Sequence, residues 1–552
     1  MTTTARPPAD LGTAEIAQKK WAKWQLYLGF VGFFLGLLMG LLQALDRMGF
    51  YLYKEAQLSS YYQGLTLHGV SMVFILTFAF GNAFLTLGVM RSLERPMAST
   101  MLVAASFWSA AIGVALAAWA ILANQATVLY TMYSPLRPHV AFYVGAVLLV
   151  VSTWIVLLNQ LLTLRAWRKD HPGEPIPLLA FVSVITYIMW FIASLGVAIE
   201  VLVFLIPWSL GLVENTDPLL NRTLFWFTGH PIVYFWLLPA YVSWYITVPK
   251  MVGGRLYSDG VVKGVFILFL LFSTPVGLHH QFTDPGVEEG LKLLHMLFTF
   301  AVFFPSLVTA FTLMAALEDG AKRNGGRGLV AWIKQLPWGN PSVVAQLFAM
   351  LGFVLGGVSG LINASATVNL VVHNTSFIPG HFHLTVGTAV ALTIMGASYW
   401  LVPYLTGKKL CCRRLAVAQS WLWFGGVMLF SRGLMAAGIE GQPRRVPVGL
   451  MAYAEESWKL WDIVTGIGGT LMVTSGTIFF IVILGTLLRK KGSAGAVEFP
   501  IADTVYGPEQ SPAILDRIGL WTAVSVVLIL IAYVPVFISH AYNFTSPGFV
   551  RW

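Results

Sequence analysis

Apolar residues fall along this chain in long unbroken runs, and a run of about 20 such residues is what an α-helix needs to cross a ~30 Å hydrocarbon core. Turn and polar signals divide the chain into thirteen expected spans, at roughly 24–45, 65–90, 98–122, 139–164, 178–208, 222–249, 261–281, 290–316, 341–363, 369–405, 414–439, 464–488 and 515–541. The pattern therefore predicts an all-α integral membrane protein with a cytoplasmic tail over 1–23, one transmembrane helical domain over 24–541 and an outer-face tail over 542–552. The connections 317–340 and 489–514 are polar and too short for a second domain. No internal repeat is legible, so an inverted-repeat transporter is not suggested.

Composition agrees, with 57% hydrophobic and 11% charged residues among 552. Charge adds orientation. Of the 34 lysines and arginines, 24 lie in or beside the N-terminal tail and the even-numbered connections, which predicts a cytoplasmic N-terminus. The formal charge of +10 is mostly this topology signal and does not point to nucleic acid. Residues 1–23 carry Lys19, Lys20 and Lys23 without a short apolar segment and cleavage site, so the first span is expected to be the insertion signal. The two cysteines, Cys411 and Cys412, are adjacent in an expected cytoplasmic loop and are too few for a disulfide framework or thiolate cluster.

Histidines change the picture most. His171 and His540 are expected to be solvated or interfacial, and His139 and His295 to be boundary or packing residues. The others fall in or beside apolar runs: "TLHGV" (His68), "TGHPIVY" (His230), "GLHHQF" (His279, His280), "VVHNT" (His373) and "GHFHL" (His381, His383). Taken singly, each could be a satisfied core imidazole. Counted along a rise of ~1.5 Å per residue, however, His68, His230, His279, His280, His381 and His383 come from four spans to the same outer half of the membrane. Such convergence points to metal.

His381 and His383 are i and i+2 on one helix and so project to opposite sides, about 200° apart. They should serve two different centres, and haem iron is the ordinary partner of an axial histidine in a dry bundle. One of the two needs a second axial ligand, for which His68 is available; the other iron would keep an open position. His230, His279 and His280 then form a three-imidazole set suited to copper, zinc or iron, with copper favoured by the affinity order. His230 and Tyr234 are i and i+4, on one face. Tyr241 and Tyr245 continue near that face toward the cytoplasm, and Ser306 and Thr309 could stand opposite, forming a hydroxyl ladder for protons.

At these residues the chain resembles subunit I of the haem–copper terminal oxidases, in the B-type branch known from thermophilic bacteria with its ba-type cytochrome c oxidases. The motifs "SYYQGLTLHG", "WFTGHPIVYFWLLPAY", "STPVGLHHQF", "NTSFIPGHFHL" and "QPRR" occur in the family's order and cover nearly the whole chain. The resemblance implies a low-spin haem, expected b-type, between His68 and His383, and a high-spin haem, expected a-type, on His381. It implies one copper ion on His230, His279 and His280, with Tyr234 covalently linked to His230. It further implies that Tyr241, Tyr245, Ser258, Ser306 and Thr309 form the branch's single proton path, that Arg444 and Arg445 hold haem propionates, and that His373 and Asn374 lie beside them.

Two departures stand out. Ile232 occupies the position after "HP" where the A-type branch has a glutamate, and Asn369 stands where an aspartate beside a propionate is expected. The implied activity is reduction of dioxygen to water, coupled to proton translocation, with Tyr234 supplying a proton and one of the four electrons. Electrons are expected from a cytochrome c-type donor through a subunit II with a dinuclear copper centre; a small single-helix subunit is a further expected partner. Nitric oxide reductase of the same superfamily and a proton-relay transporter are the rival readings. Tyr234 and the shortage of glutamate near His230 argue against the first. Glu200 and Arg432, inside spans, have no assigned role.

Overall fold

The structure, a computed structural model, describes residues 12–543. Its apolar runs fold as α1 (Thr13–Arg47), α2 (Tyr61–Ser92), α3 (Thr100–Leu122), α4 (Val140–Asp170), α5 (Leu178–Ser209) and α6 (Pro218–Val252). There follow α7 (Asp259–Phe272), α8 (Glu289–Arg323), α9 (Pro341–Ala364), α10 (Phe377–Thr406), α11 (Arg413–Ile439), α12 (Trp458–Leu487) and α13 (Ile518–Asn543). Helix α1 begins well before the expected start at 24, and the tail residues 1–11 and 544–552 lie outside the described residues.

Among the described residues 12 helices, not thirteen, are long and apolar enough to cross a membrane. The exception corrects the seventh expected span. It is helical for 14 residues, stops at Phe272 ahead of Pro275, and resumes only as a 3₁₀ turn at Gly277–Gln281. Proline has no N–H to continue the ladder and forces the residue before it toward extended backbone. The segment still runs the length of α8, because Arg255 pairs with Asp319 near one end of α8 and Lys292 donates to the Phe282 carbonyl near the other. Periodicity sees an apolar run and cannot see where its helix ends.

Burial sorts the helices. In α2, α6 and α10 the apolar window is 89% buried, whereas in α3 and α13 it is 28% buried. The three interior helices are those that carry His68, His230 and the His381/His383 pair. Small residues let backbones meet around them. A Cβ on Gly113 of α3 would stand 2.7 Å from the Gly145 carbonyl oxygen of α4, and one on Gly145 would stand 2.6 Å from that of Gly113, so neither position has room for a side chain. Helices α2, α5 and α10 each widen into a π-helical turn, at Ser71–Leu76, Glu200–Leu205 and Thr385–Val390. Two of these follow directly on His68 and His383, which fits the recurrence of π-bulges at functional sites. A two-stranded parallel pairing of β1 (Leu256–Ser258) with β2 (Thr504–Tyr506) closes the face that holds Arg255 and Arg323, called the basic face below.

Candidate metal centres

His68 and His383 face each other across a cavity of ≈ 240 Å³ that also includes Tyr130, Met72, Arg444 and Arg445. Their rings are 6.3 Å apart between centroids and within 11° of parallel. The outer nitrogen of each is already engaged: His68 Nδ1 lies 2.8 Å from the Gly36 carbonyl oxygen and His383 Nδ1 2.7 Å from that of Pro379. Carbonyls only accept, so both Nδ1 atoms donate and both Nε2 atoms keep a lone pair for a metal. With metal–nitrogen bonds of about 2.0 Å and about 1.1 Å from nitrogen to ring centre, two imidazoles on one iron stand ~6.2 Å apart, so the spacing suits an axial pair. Gly40 makes room, since a Cβ there would sit 3.3 Å from the His68 ring.

His381 turns to the other side of α10, toward α9. Its Nδ1 is 2.9 Å from Ser359 Oγ and 3.1 Å from the Gly356 carbonyl oxygen, which leaves Nε2 free, and a Cβ on Gly360 would touch its ring at 3.2 Å. Both sides of the i, i+2 pair are thus occupied by different partners.

His230, His279 and His280 bring one ring nitrogen each within 4.8 Å of one another. His280 Nε2 lies 3.1 Å from His230 Nδ1 and 3.0 Å from His279 Nε2. The opposite nitrogens are held elsewhere: His279 Nδ1 is 2.8 Å from Thr299 Oγ1, whose own proton goes to the His295 carbonyl, and His230 Nε2 is 3.0 Å from the Tyr234 hydroxyl. His280 stacks on Trp226 at 4.0 Å. Three buried imidazole nitrogens aimed at one point cannot all satisfy one another by hydrogen bonding, and a cation resolves the conflict. The donor set fits copper.

On the side away from the basic face, Arg444 donates through Nη2 to Asn374 Oδ1 at 2.8 Å and through its backbone N–H to the Asn374 carbonyl at 3.0 Å. Arg445 lies over the Tyr130 ring at 5.6 Å, and its buried Nη2 has no partner among the described residues. An orphaned guanidinium nitrogen in the wall of the histidine cavity suits a carboxylate such as a haem propionate. Asn374 and Arg445 hold left-handed backbone, with φ of 58° and 64°, and this fixes the approach of the loop. His373 Nδ1 meets Asn369 Oδ1 at 2.8 Å, and Asn369 Nδ2 donates to the Asn363 carbonyl at 2.7 Å, so Asn369 acts as a strut between two backbone segments.

Toward the basic face Tyr241 donates to Ser306 at 3.2 Å and Tyr245 to Thr309 at 2.8 Å, pairing α6 with α8 as the spacing suggested. Among the described residues no hydrogen bond joins Ser306 to Thr309. Ser258 stands apart from these pairs as the N-cap of α7, accepting from the Val261 N–H. Glu200 is wholly buried at the start of its π turn with neither carboxylate oxygen hydrogen-bonded among the described residues, and Arg432 lies over the Trp461 ring at 4.9 Å. His540, expected to be solvated or interfacial, is partly exposed near the end of α13 and pairs with Asp217, the N-cap of α6, at 3.0 Å. Thr299, Ser359 and Trp226 were missed in the sequence. Only Trp226 carries a local signal, four residues before His230.

The interior helices and the three histidine sites in and beside them define a membrane oxidoreductase of the haem and copper class. Residues 20–471 match the family described as Cytochrome C and Quinol oxidase polypeptide I, and the chain belongs to it. It is 44% identical over 97% of both chains to a cytochrome c oxidase subunit 1 of Thermus thermophilus, and 28% identical to a cytochrome c oxidase polypeptide 1 of Halobacterium salinarum over 70% of this chain and 65% of that one. A solved heme-copper terminal oxidase dimer has a TM-score of 0.92 at 38% identity, covering 97% of this chain and 95% of the other. The protein is accordingly a haem–copper oxidase subunit I, the catalytic subunit of a terminal oxidase that carries haems and a copper, and it works as a multi-pass membrane protein within an oxidase complex.

Proposed function

We propose that His68 and His383 hold the low-spin haem, His381 the high-spin haem, and His230, His279 and His280 the copper, in an oxidase that takes electrons from a cytochrome c-type donor by way of a copper-bearing subunit II. The observation that carries this reading is the division of the ring nitrogens: His68, His383 and His381 each have Nδ1 hydrogen-bonded to the protein and Nε2 left over, while His279 is held through Nδ1 by Thr299 and His230 meets Tyr234 through Nε2, so that their other nitrogens converge on His280 Nε2. Haems and copper, when bound, supply the electron storage and transfer for reducing dioxygen to water. The chain's own work is positioning, exclusion of water and delivery of protons.

Tyr234 holds its proton at an oxygen 3.0 Å from His230 Nε2, at the edge of the three-histidine cluster, and would pass that proton and one electron to dioxygen, leaving a neutral tyrosyl radical that a later electron and proton restore. A bond from His230 Nε2 to the ring carbon beside that hydroxyl would make the loss easier by withdrawing electron density. Tyr241 with Ser306 and Tyr245 with Thr309 then return protons from the basic face, water bridging the steps between the two pairs. With Ile232 in place of a glutamate, this ladder is the route available at α6. Arg444 and Arg445 bind propionates, His373 and Asn374 line them, and protons leave on that side, which is the outer face if the N-terminus is cytoplasmic.

Metal analysis of the purified complex tests the reading. Two haems and one site copper per chain are expected, and changing His230, His279 or His280 to Ala should lower that copper far below one per chain and abolish dioxygen reduction. Stoichiometric non-haem iron in its place would instead mark a nitric oxide reductase.

A further inference from the structure

Between Phe272 and His279 the chain is out of regular helix, and its backbone polar groups must find partners elsewhere. Two buried side chains supply them. The Tyr533 hydroxyl of α13 accepts from the Gly277 N–H at 3.1 Å and donates to the Thr274 carbonyl at 3.3 Å. His295 of α8 faces the Ala532 carbonyl of α13 with Nε2 at 3.1 Å, which makes Nε2 the donor and leaves Nδ1 to accept from the Leu278 N–H at 3.4 Å. Tyr533 and His295 are 2% and 0% exposed and touch edge to face at 4.8 Å, although α13 is otherwise one of the two least buried helices.

Two of these contacts fall on Gly277 and Leu278, the two residues just before His279 and His280, and a third on Thr274. The loop has been fitted to them: a Cβ on Gly277 would stand 2.4 Å from the Tyr533 hydroxyl and 2.3 Å from the Trp226 carbonyl oxygen, so only glycine permits the approach. One turn beyond His295 on the same helix, Thr299 takes the His279 ring N–H. The α8–α13 seam thus grips both the backbone of the loop and one of its imidazoles.

We propose that Tyr533 and His295 are positioning residues for the copper site: they fix the 274–278 backbone so that His279 and His280 present their nitrogens in one place, which makes α13 a buttress for the metal centre. The inference rests on the copper reading above. A ligand set works only when held within about 0.5 Å of its productive geometry, and losing an outer partner of a metal ligand typically costs 10–100-fold in affinity. Neither residue belongs to the three-imidazole cluster itself.

The test uses the holo-complex with Tyr533→Phe, which keeps the ring and deletes the hydroxyl, beside Ser525→Ala. Ser525 also docks α13, donating to the Leu270 carbonyl at 2.7 Å, but lies two turns from the loop contacts. Tyr533→Phe should lower copper retention against a graded chelator about tenfold and shift or broaden the C–O stretch of carbon monoxide on the cuprous site, with haem content normal. Ser525→Ala should match the wild type in both. Tyr533→Phe with wild-type retention and an unchanged band overturns the inference, as do equal losses in the two variants, which would mean general docking of α13. If Tyr533→Phe does not accumulate, amide exchange of the wild type decides: Gly277 and Leu278 must exchange as slowly as helix interiors, and fast exchange overturns the inference. A wild-type complex without site copper fails the copper reading itself, a result distinct from any of these.

Discussion

At the scale of single residues, the spacing of His381 and His383 decides how many centres the bundle holds, because two imidazoles 200° apart on one helix cannot reach one iron. The structure adds the polarity of each ring: His383 is anchored by the Pro379 carbonyl within its own helix, His381 by Ser359 and Gly356 of α9. Replacing His68 with Ala should therefore remove the low-spin haem band and leave site copper intact, and a variant that keeps both haem bands would refute the pairing with His383. Tyr245 offers a different kind of test. Tyr245→Phe keeps a fully buried ring between α6 and α8 and deletes only the hydroxyl that meets Thr309. A proton ladder cut at one rung should turn over at least about tenfold more slowly, an added barrier of about 1.4 kcal/mol, with metal content and haem spectrum unchanged. Wild-type turnover in this variant would show that protons enter elsewhere, and a peptide map with residues 230 and 234 unlinked would remove the cross-link.

Elements show which parts of this arrangement the sequence could and could not disclose. Long apolar runs marked twelve helices, and histidine depth picked out imidazoles that the structure brings together, because both depend on spacing along one chain segment. The early stop of α7 at Phe272 was legible in Pro275, which hydropathy alone passes over, whereas the grip of Thr299 on His279 depends on what another helix brings, and no local pattern carries it or the π turns after His68 and His383. The partner of His540 was hidden for the same reason: Asp217 lies at the start of α6, far away in sequence. Close helix approach is likewise hidden in ordinary glycines. Gly145→Val would drive a side chain into the Gly113 carbonyl and the Ala117 amide, whose distances from a Cβ are 2.6 and 2.8 Å. Overpacking of this kind costs about 1–3 kcal/mol. The variant should lose its haem absorbance at a lower temperature than the wild type while retaining copper, since α3 and α4 carry no metal ligand. An unchanged thermal profile would mean that the α3–α4 crossing has slack.

For the molecule as a whole, function depends on which face looks into the cell, and the chain carries its own probe of it. Two cysteines are present; both are free, Cys412 is exposed and Cys411 partly so, and they sit at the entry to α11 beside Arg413 and Arg414. Following the helices, the α10–α11 turn lies on the same face as Arg255 and Arg323, since α6, α8 and α10 end there and α7, α9 and α11 start there. This is the face the positive-inside rule assigns to the cytoplasm, because basic loops resist translocation. It is also the face from which the Tyr245 and Tyr241 pairs lead inward, so orientation and proton uptake are one question. A membrane-impermeant maleimide should label Cys412 in inverted membrane vesicles and leave it unlabelled in intact spheroplasts. Labelling in spheroplasts alone would reverse the orientation, place proton uptake outside, and contradict an oxidase that takes its chemical protons from the cytoplasm.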